Sequence, residues 1–154
     1  MGGKMAFSWV PRWLAAEDFA AAAEIDRDSG AWDSEAFAEA FADPAVRGIA
    51  FHGGRQSLTI RESFLAAWVV YRFDREAVRI LRIVVFKDFR RRGVADLLLR
   101  YAMANRIDFK AHRGYRFCSA SVQDSDESGQ TLFRRFGLTC VGHDSGGWRF
   151  AGLV

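Results

Sequence analysis

The chain of 154 residues is poor in cysteine, in histidine and in long apolar runs, and each shortage closes off a class of protein. Two cysteines, Cys118 and Cys140, cannot build a disulfide framework. Neither stands in a metal-ligand spacing such as C-x2-C, so each is read as a small core residue and no metal is expected. No apolar stretch reaches the roughly 18 residues that span a bilayer, and the N-terminus lacks a secretory pattern. Gly2 follows Met1, but Ala6 stands where a myristoylation motif wants Ser or Thr. A reduced, cytoplasmic setting is expected. No repeat, low-complexity tract or linker interrupts the chain, so a single domain is expected over residues 5–154, with Met1 to Lys4 as a disordered leader.

Half of the residues are apolar and 27% are charged, as in a soluble globular protein. A chain of this size buries about two thirds of its unfolded surface in one core. The net charge of +3 is mild. Its distribution is not: Arg79, Arg82, Lys87, Arg90, Arg91, Arg92 and Arg100 crowd one stretch, whereas residues 17–43 are acid-rich. That asymmetry suits one anionic ligand site and a separate, cation-accepting surface.

Periodicity gives the elements. Phe7 to Trp13 alternates as a strand, with Pro11 placing it near an edge or bulge. Helical stripes run from about Glu17 to Arg27, stopped by Ser29-Gly30, and from a cap at Asp33 or Ser34 to Phe41, stopped by Asp43-Pro44. Val46 to His52 reads as a strand closed by a Gly53-Gly54 turn. Residues 56–62 fit a loop or a short strand. Phe64 to Phe73 and Ala77 to Phe86 form a hairpin across Asp74-Arg75-Glu76. A long helix follows from about Gly93 to Phe109, with Val94, Leu97, Leu98 and Tyr101 as its apolar stripe and Arg113-Gly114 as its end. Phe117 to Val122 is a strand and Glu127 to Phe136 a short helix. Leu138 to Gly142 and Trp148 to Leu153 close the chain around a turn at residues 144–147. The order is β-α-α-β-β-β-α-β-α-β-β.

The segment Ile80 to Ala95, ILRIVVFKDFRRRGVA, carries the strongest chemical signal. An apolar strand runs through a short turn into three arginines, a glycine and the start of a helix. Helix N-terminal amides have no intrahelical partner, the helix dipole favours negative charge there, and Gly93 lets the backbone approach a ligand. A phosphate or pyrophosphate is the natural occupant. The basic run also fits a solvated face or a nucleic-acid patch, which would bind duplex with steep salt dependence. Neither alternative requires a glycine at the helix start, so nucleic acid is not the expected partner.

With its strand before it and its helix after it, Arg90-x-x-Gly93-x-Ala95 resembles the coenzyme A signature of the GNAT acetyltransferase superfamily. The resemblance extends to the element order over essentially the whole chain. It implies an α/β (α+β) acyl-CoA N-acyltransferase fold, a mixed, mostly antiparallel sheet with helices on both faces. It implies an acetyl-CoA-dependent N-acetyltransferase acting on a protein N-terminal α-amine or a small amine, as a monomer or homodimer with no membrane contact. Implied coenzyme A contacts are Ile83, Val84 and Val85 with pantetheine, Arg90, Arg91, Arg92, Gly93, Val94, Ala95 and Asp96 with pyrophosphate, and Asp126 and Phe133 downstream. Ala31-Trp32-Asp33-Ser34-Glu35-Ala36-Phe37 is similar to the Pro-Trp-Ser/Thr segment of the RimI-like branch, which acetylates ribosomal-protein N-termini. The same residues also read as a capped helix with an aromatic staple.

The catalytic positions depart from the family pattern. Aligned on Gly137, Ser121 takes the place of a glutamate, Asp126 of an asparagine and Phe133 of a tyrosine, and Arg79 stands where some members keep an acid. Phe133 cannot protonate a thiolate and Ser121 is a poor base alone. The resemblance leaves the Val85 N–H as oxyanion donor, a backbone group that survives side-chain substitution. A module that binds acyl-CoA or a protein partner without efficient turnover is the second reading. His52, His112 and His143 are read as solvated turn or helix-end residues. Cys118 alternates with Ser119 and Ser121 and so faces away from them. Tyr115 is read as a core or surface aromatic, and Trp32, Asp33 and Glu35 as either helix cap or peptide contact.

Overall fold

A computed structural model describes residues 7–27, 32–55, 63–74, 77–105 and 117–153. Among them seven strands form one sheet in the order β1-β2-β3-β4-β5-β7-β6. These are β1 (Phe7–Trp13), β2 (Val46–Arg55), β3 (Ser63–Asp74), β4 (Ala77–Val85), β5 (Phe117–Val122), β6 (Thr139–Asp144) and β7 (Gly147–Leu153). The helices are α1 (Phe19–Ile25), α2 (Ser34–Phe41), α3 (Val94–Asn105) and α4 (Glu127–Arg135), with 3-10 turns at Ala16–Asp18 and Lys87–Phe89. The element order is the expected one. The β4–β5 pair is parallel and the others are antiparallel.

Two cores cover the two faces of the sheet. One joins Ile49, Val69, Tyr71, Val78, Cys118 and Phe150 to Leu98, Leu99 and Ala102 of α3 and Phe133 of α4. The other joins Ala50, Trp68, Val70 and Val84 to Ala22 of α1 and Phe37 of α2. The period-2 alternation of the strands produces this division, since successive side chains of β3 serve opposite cores. Helix α2 is fixed locally. Asp33 accepts from the Ala36 N–H at 2.8 Å, and Trp32, just before the cap, meets Phe37 edge-on with ring centroids 5.0 Å apart. This is a capped and stapled helix start.

Three expectations are corrected. Strand β2 does not stop at His52 but runs to Arg55, with Gly53 and Gly54 paired on both sides. A Cβ on Gly53 would lie 2.7 Å from the Phe64 ring and 3.0 Å from the Trp9 ring. The glycine makes room for aromatics rather than for a turn. In α3 the buried stripe is Val94, Leu98, Leu99, Ala102 and Met103, whereas Leu97 and Tyr101 are exposed. The helix is therefore rotated from the i, i+3, i+4, i+7 choice toward its small and flexible residues, which allow closer approach to the sheet. Helix α1 is shorter than expected, because Ala16–Asp18 takes the tighter 3-10 form first. The helix stop at 29–30, the hairpin residues 75–76, the segment 56–62 and the end of the long helix near Arg113-Gly114 lie outside the described residues.

Candidate active site

Two irregularities open the centre of the sheet. Strand β4 pairs with β5 only from Ala77 to Ile80, opposite Phe117 to Ala120. Beyond that the strands part, while β5 stays paired with β7 through Val122. The parting coincides with a bulge, for Val70 faces Arg82 and Tyr71 faces Ile80, so Leu81 is the extra residue. A bulge turns two successive side chains to one side. Leu81 packs into the α1–α2 core, and Arg82 on the same face reaches Asp26 at the end of α1. The Phe86 N–H donates to Ala66 O at 2.8 Å, so alternation turns the backbone groups of Val84 to β3 and those of Ile83 and Val85 to the gap. Of Ile83, Val84 and Val85, the first and the last thus turn their backbone groups to the gap and Val84 turns its own to β3.

The turn after β4 is held by aromatic rings. Phe89 is buried, edge-on to Trp9 and stacked on Phe64, each at 5.2 Å between centroids. Arg90 folds back so that its Nε donates to Val85 O at 3.1 Å, and the Arg92 guanidinium sits 5.9 Å from the centre of the Phe89 ring. Arg91 and Gly93 both take positive φ, 64° and 74°. The Gly93 carbonyl accepts the first α3 bond from the Leu97 N–H at 3.1 Å, which leaves the amides of Val94, Ala95 and Asp96 at the open helix end. A Cβ on Gly93 would meet nothing within 4 Å. The glycine thus answers to its φ, and the space above it is open. Arg90, Arg91 and Arg92 are all exposed around that space. Asp96 pairs with Arg100 at 2.9 Å along the helix.

On the other face α1 crosses the sheet and is tied to it at its start, middle and end. Asp18 holds the Arg12 guanidinium of β1 at 2.9 Å, Trp68 Nε1 of β3 donates to Ala22 O at 2.9 Å, and Asp26 receives both Nε and Nη2 of Arg82 at 2.6 Å. The Asp26 side chain is 3% exposed and that of Arg82 24%. Between the end of α1 and the turn after β4 lies a groove of ≈ 310 Å³ lined by Glu24, Ile25, Arg27, Phe86, Lys87 and Arg90.

A profile of the acetyltransferase (GNAT) family matches residues 12–138, which include the gap, the turn and the start of α3. The chain belongs to the GNAT acetyltransferase family. Solved structures similar to this GNAT chain include the ribosomal-protein-S18-alanine N-acetyltransferase from Escherichia coli, with TM-score 0.74 and 16% identity over 96% of this chain and 94% of that one. The PaiA N-acetyltransferase from Thermoplasma acidophilum in complex with coenzyme A gives TM-score 0.72 and 12% identity over 96% and 99%. NAA60 from Arabidopsis thaliana in complex with a bisubstrate analogue gives 0.73 and 16% over 96% and 99%. Among curated proteins no sequence match was found. At these identities the likeness is one of fold.

Ser121 is exposed and, alternating with the buried Ala120 and Val122, lies on the α1–α2 face beside the gap. Phe133 is 4% exposed, its ring 6.1 Å from that of Phe150. Asp126 caps α4, accepting from the Gly129 N–H at 2.9 Å. Arg79 lies where β4 and β5 are still paired, opposite Ser119, with its guanidinium 3.5 Å from Asp74. Cys118 is buried on the opposite face from Ser119 and Ser121, as alternation predicts.

Two histidines differ from expectation. His52 is buried within β2, with Nδ1 unpartnered among the described residues. Burial lowers its pKa below the usual 6.5, Arg12 adds to the effect and Asp18 opposes it. His143 is exposed but bonded, Nε2 lying 2.6 Å from Asp124 and the ring 4.4 Å from Trp148. His112 and Tyr115 lie outside the described residues. Among those described, no group of three or more His, Cys, Asp or Glu could hold a metal ion, and no helix is long and apolar enough to cross a membrane. The Asp26–Arg82 pair escaped sequence reasoning because its partners stand 56 residues apart and neither belongs to a motif.

Proposed function

We propose that this GNAT protein is an acetyl-CoA-dependent N-acetyltransferase, transferring acetyl to a primary amine such as a protein N-terminal α-amine or a small amine, in the cytoplasm. The observation that carries the reading is the parting of β4 from β5 above Leu81, with the backbone of Ile83 and Val85 turned to the gap and the open amides of α3 at its mouth. An extended thiol-ended chain fits the gap. Its pyrophosphate fits the amides of Val94, Ala95 and Asp96, with Arg90, Arg91 and Arg92 adding charge. The open space at Gly93 admits such a group.

In the transfer, a neutral amine attacks the thioester carbonyl, the carbon–sulfur bond breaks, and the proton lost by the amine passes through water to the departing thiolate, which leaves as coenzyme A. The Val85 N–H is our candidate donor to the developing oxyanion. An α-amine with pKa near 8 is roughly 10% neutral at pH 7, whereas a lysine near 10.4 is almost wholly charged. An α-amine therefore needs less help from a base, which suits a site with Ser121 and Phe133 at the matched positions. Losing general acid–base help costs about 100- to 10,000-fold, while positioning supplies on the order of 7–11 kcal/mol.

The burial of Phe133 and the salt bridge of Arg79 favour, as a second reading, a module that binds acyl-CoA without efficient turnover. Calorimetric titration with acetyl-CoA tests both, and absence of binding at millimolar ligand overturns both. Thiol release across a panel of amines separates them. Sustained turnover that disappears in an Arg92→Glu/Gly93→Trp variant establishes the transferase, and binding with no turnover establishes the module.

A further inference from the structure

The groove between α1 and the turn after β4 has a chemistry that the acetyl donor does not explain. It opens on the face that carries Ser121, since one wall is the end of α1, whose Ile25 packs on that face, while the other wall begins at Phe86, one residue beyond the gap-facing Val85 and packed against the α3–α4 core. Its ≈ 310 Å³ stands at the low end of small-molecule sites, which run from about 300 to 1,000 Å³. That suits an amino acid or a peptide end rather than a folded surface.

The charge of the lining is unbalanced. Among the described residues, Arg27 and Lys87 face one carboxylate, Glu24, a net of +1, with Arg90, which also serves the proposed pyrophosphate site, beside them. Asp26 does not offset them, because both of its oxygens are bonded to Arg82. The Glu24–Arg27 pair is 3.3 Å long with side chains 69% and 79% exposed, an ion pair that exchanges readily for a ligand. A simple ammonium would meet net repulsion here. An amine with a carboxylate beside it would not: Glu24 answers the ammonium, Arg27 and Lys87 answer the acid, and Ile25 and Phe86 offer an apolar floor.

We propose that this groove seats the acceptor and selects amines that carry a carboxylate close by, as in a peptide N-terminus with an acidic residue among its first two. The proposal rests on the N-acetyltransferase reading. Acetyl-CoA binding by calorimetry is therefore measured first, and its absence fails that reading rather than the groove.

The groove itself is tested by thiol release at saturating acetyl-CoA with the peptides Ala-Asp-Ala, Ala-Asn-Ala and Ala-Lys-Ala. Two partly exposed cations give the first peptide roughly a 10-fold higher kcat/KM than the second, and the third falls below both. The Arg27→Glu/Lys87→Glu variant, assayed at saturating acetyl-CoA, reverses the order. Equal rates for the three peptides overturn the proposal, as does an unreversed order in the variant. A fall in acetyl-CoA affinity with unchanged peptide preference assigns the groove to the donor and also overturns it. If no peptide turns over, the same three are titrated into protein saturated with coenzyme A. Tighter binding of the acidic peptide supports the proposal, and equal or undetectable binding at millimolar peptide overturns it.

Discussion

The Asp26–Arg82 pair should be among the most sensitive contacts in the molecule. Asp26 is 3% exposed and Arg82 24%, and two bonds of 2.6 Å join them. Removing one partner takes from the other the counter-charge held by two short bonds, and breaking a buried pair in this way costs about 3–5 kcal/mol. Because Arg82 keeps a quarter of its surface in water, the lower end applies. Asp26→Asn and Arg82→Met are each expected to lose about 3 kcal/mol in urea unfolding, a large share of the 5–15 kcal/mol that holds a domain together. Thermal midpoints should fall by roughly 6–12 °C at 2–4 °C per kcal/mol. The double variant Asp26→Asn/Arg82→Met leaves no orphaned charge and should lose clearly less than the sum, giving a coupling energy of about 2 kcal/mol or more. Single losses below about 1 kcal/mol, or strict additivity, would refute the claim that this pair fixes the end of α1 to the β4 bulge.

Other outcomes follow from the same geometry. Gly93→Ala places a side chain at φ 74°, which costs about 1–2 kcal/mol of stability or shifts the loop and weakens acetyl-CoA binding about 10-fold; calorimetry showing neither contradicts the role of the left-handed turn. His52 has its folded pKa lowered by burial, so between that value and 6.5 the unfolded chain binds a proton that the folded chain refuses. Stability is therefore full above pH 6.5 and declines as pH falls below it, and urea titrations at pH 7.5 and 5.5 should show a smaller decline for His52→Gln than for the parent. Ser121→Glu restores an acid on the α1–α2 face of β5, opposite Arg149 of β7, and should raise kcat on the order of 100-fold with a new ascending limb in the pH profile. An unchanged profile would show that proton transfer does not limit turnover.

The β4 turn and α3 start that we propose for the donor were legible in the sequence, because backbone geometry forms them and leaves a short-range trace. A strand, three arginines, a glycine at positive φ and a helix start lie within residues 80–95, and hydrophobic alternation placed the strands around them. What escaped depended on contacts between distant residues. Gly53-Gly54 carries the ordinary signal of a turn, and the rings of Trp9 and Phe64 that make it a strand instead come from two other strands. The stripe of α3 departs from its hydrophobic periodicity because Leu97 and Tyr101 match a helical face by hydrophobicity, whereas packing on the sheet buries Ala102 and Met103. The bulge at Leu81 leaves no mark in an apolar run.

That division bears on what the proposed N-acetyltransferase would accept. Backbone amides and a gap between strands tolerate substitution, so a donor site can persist while the side chains around it change. The acceptor side has the opposite construction. Its groove is framed by α1, and α1 is placed by three side-chain ties, from Arg12, Trp68 and Arg82, each reaching from a different strand. Changing any one of them is expected to shift α1, a wall of the proposed acceptor groove, more than the β4–α3 loop. Acceptor choice should thus change independently of acetyl-CoA binding, and the sharpest measure of this chain's specificity is the KM for the amine in variants of Arg12, Trp68 and Arg82 whose affinity for acetyl-CoA is unaltered.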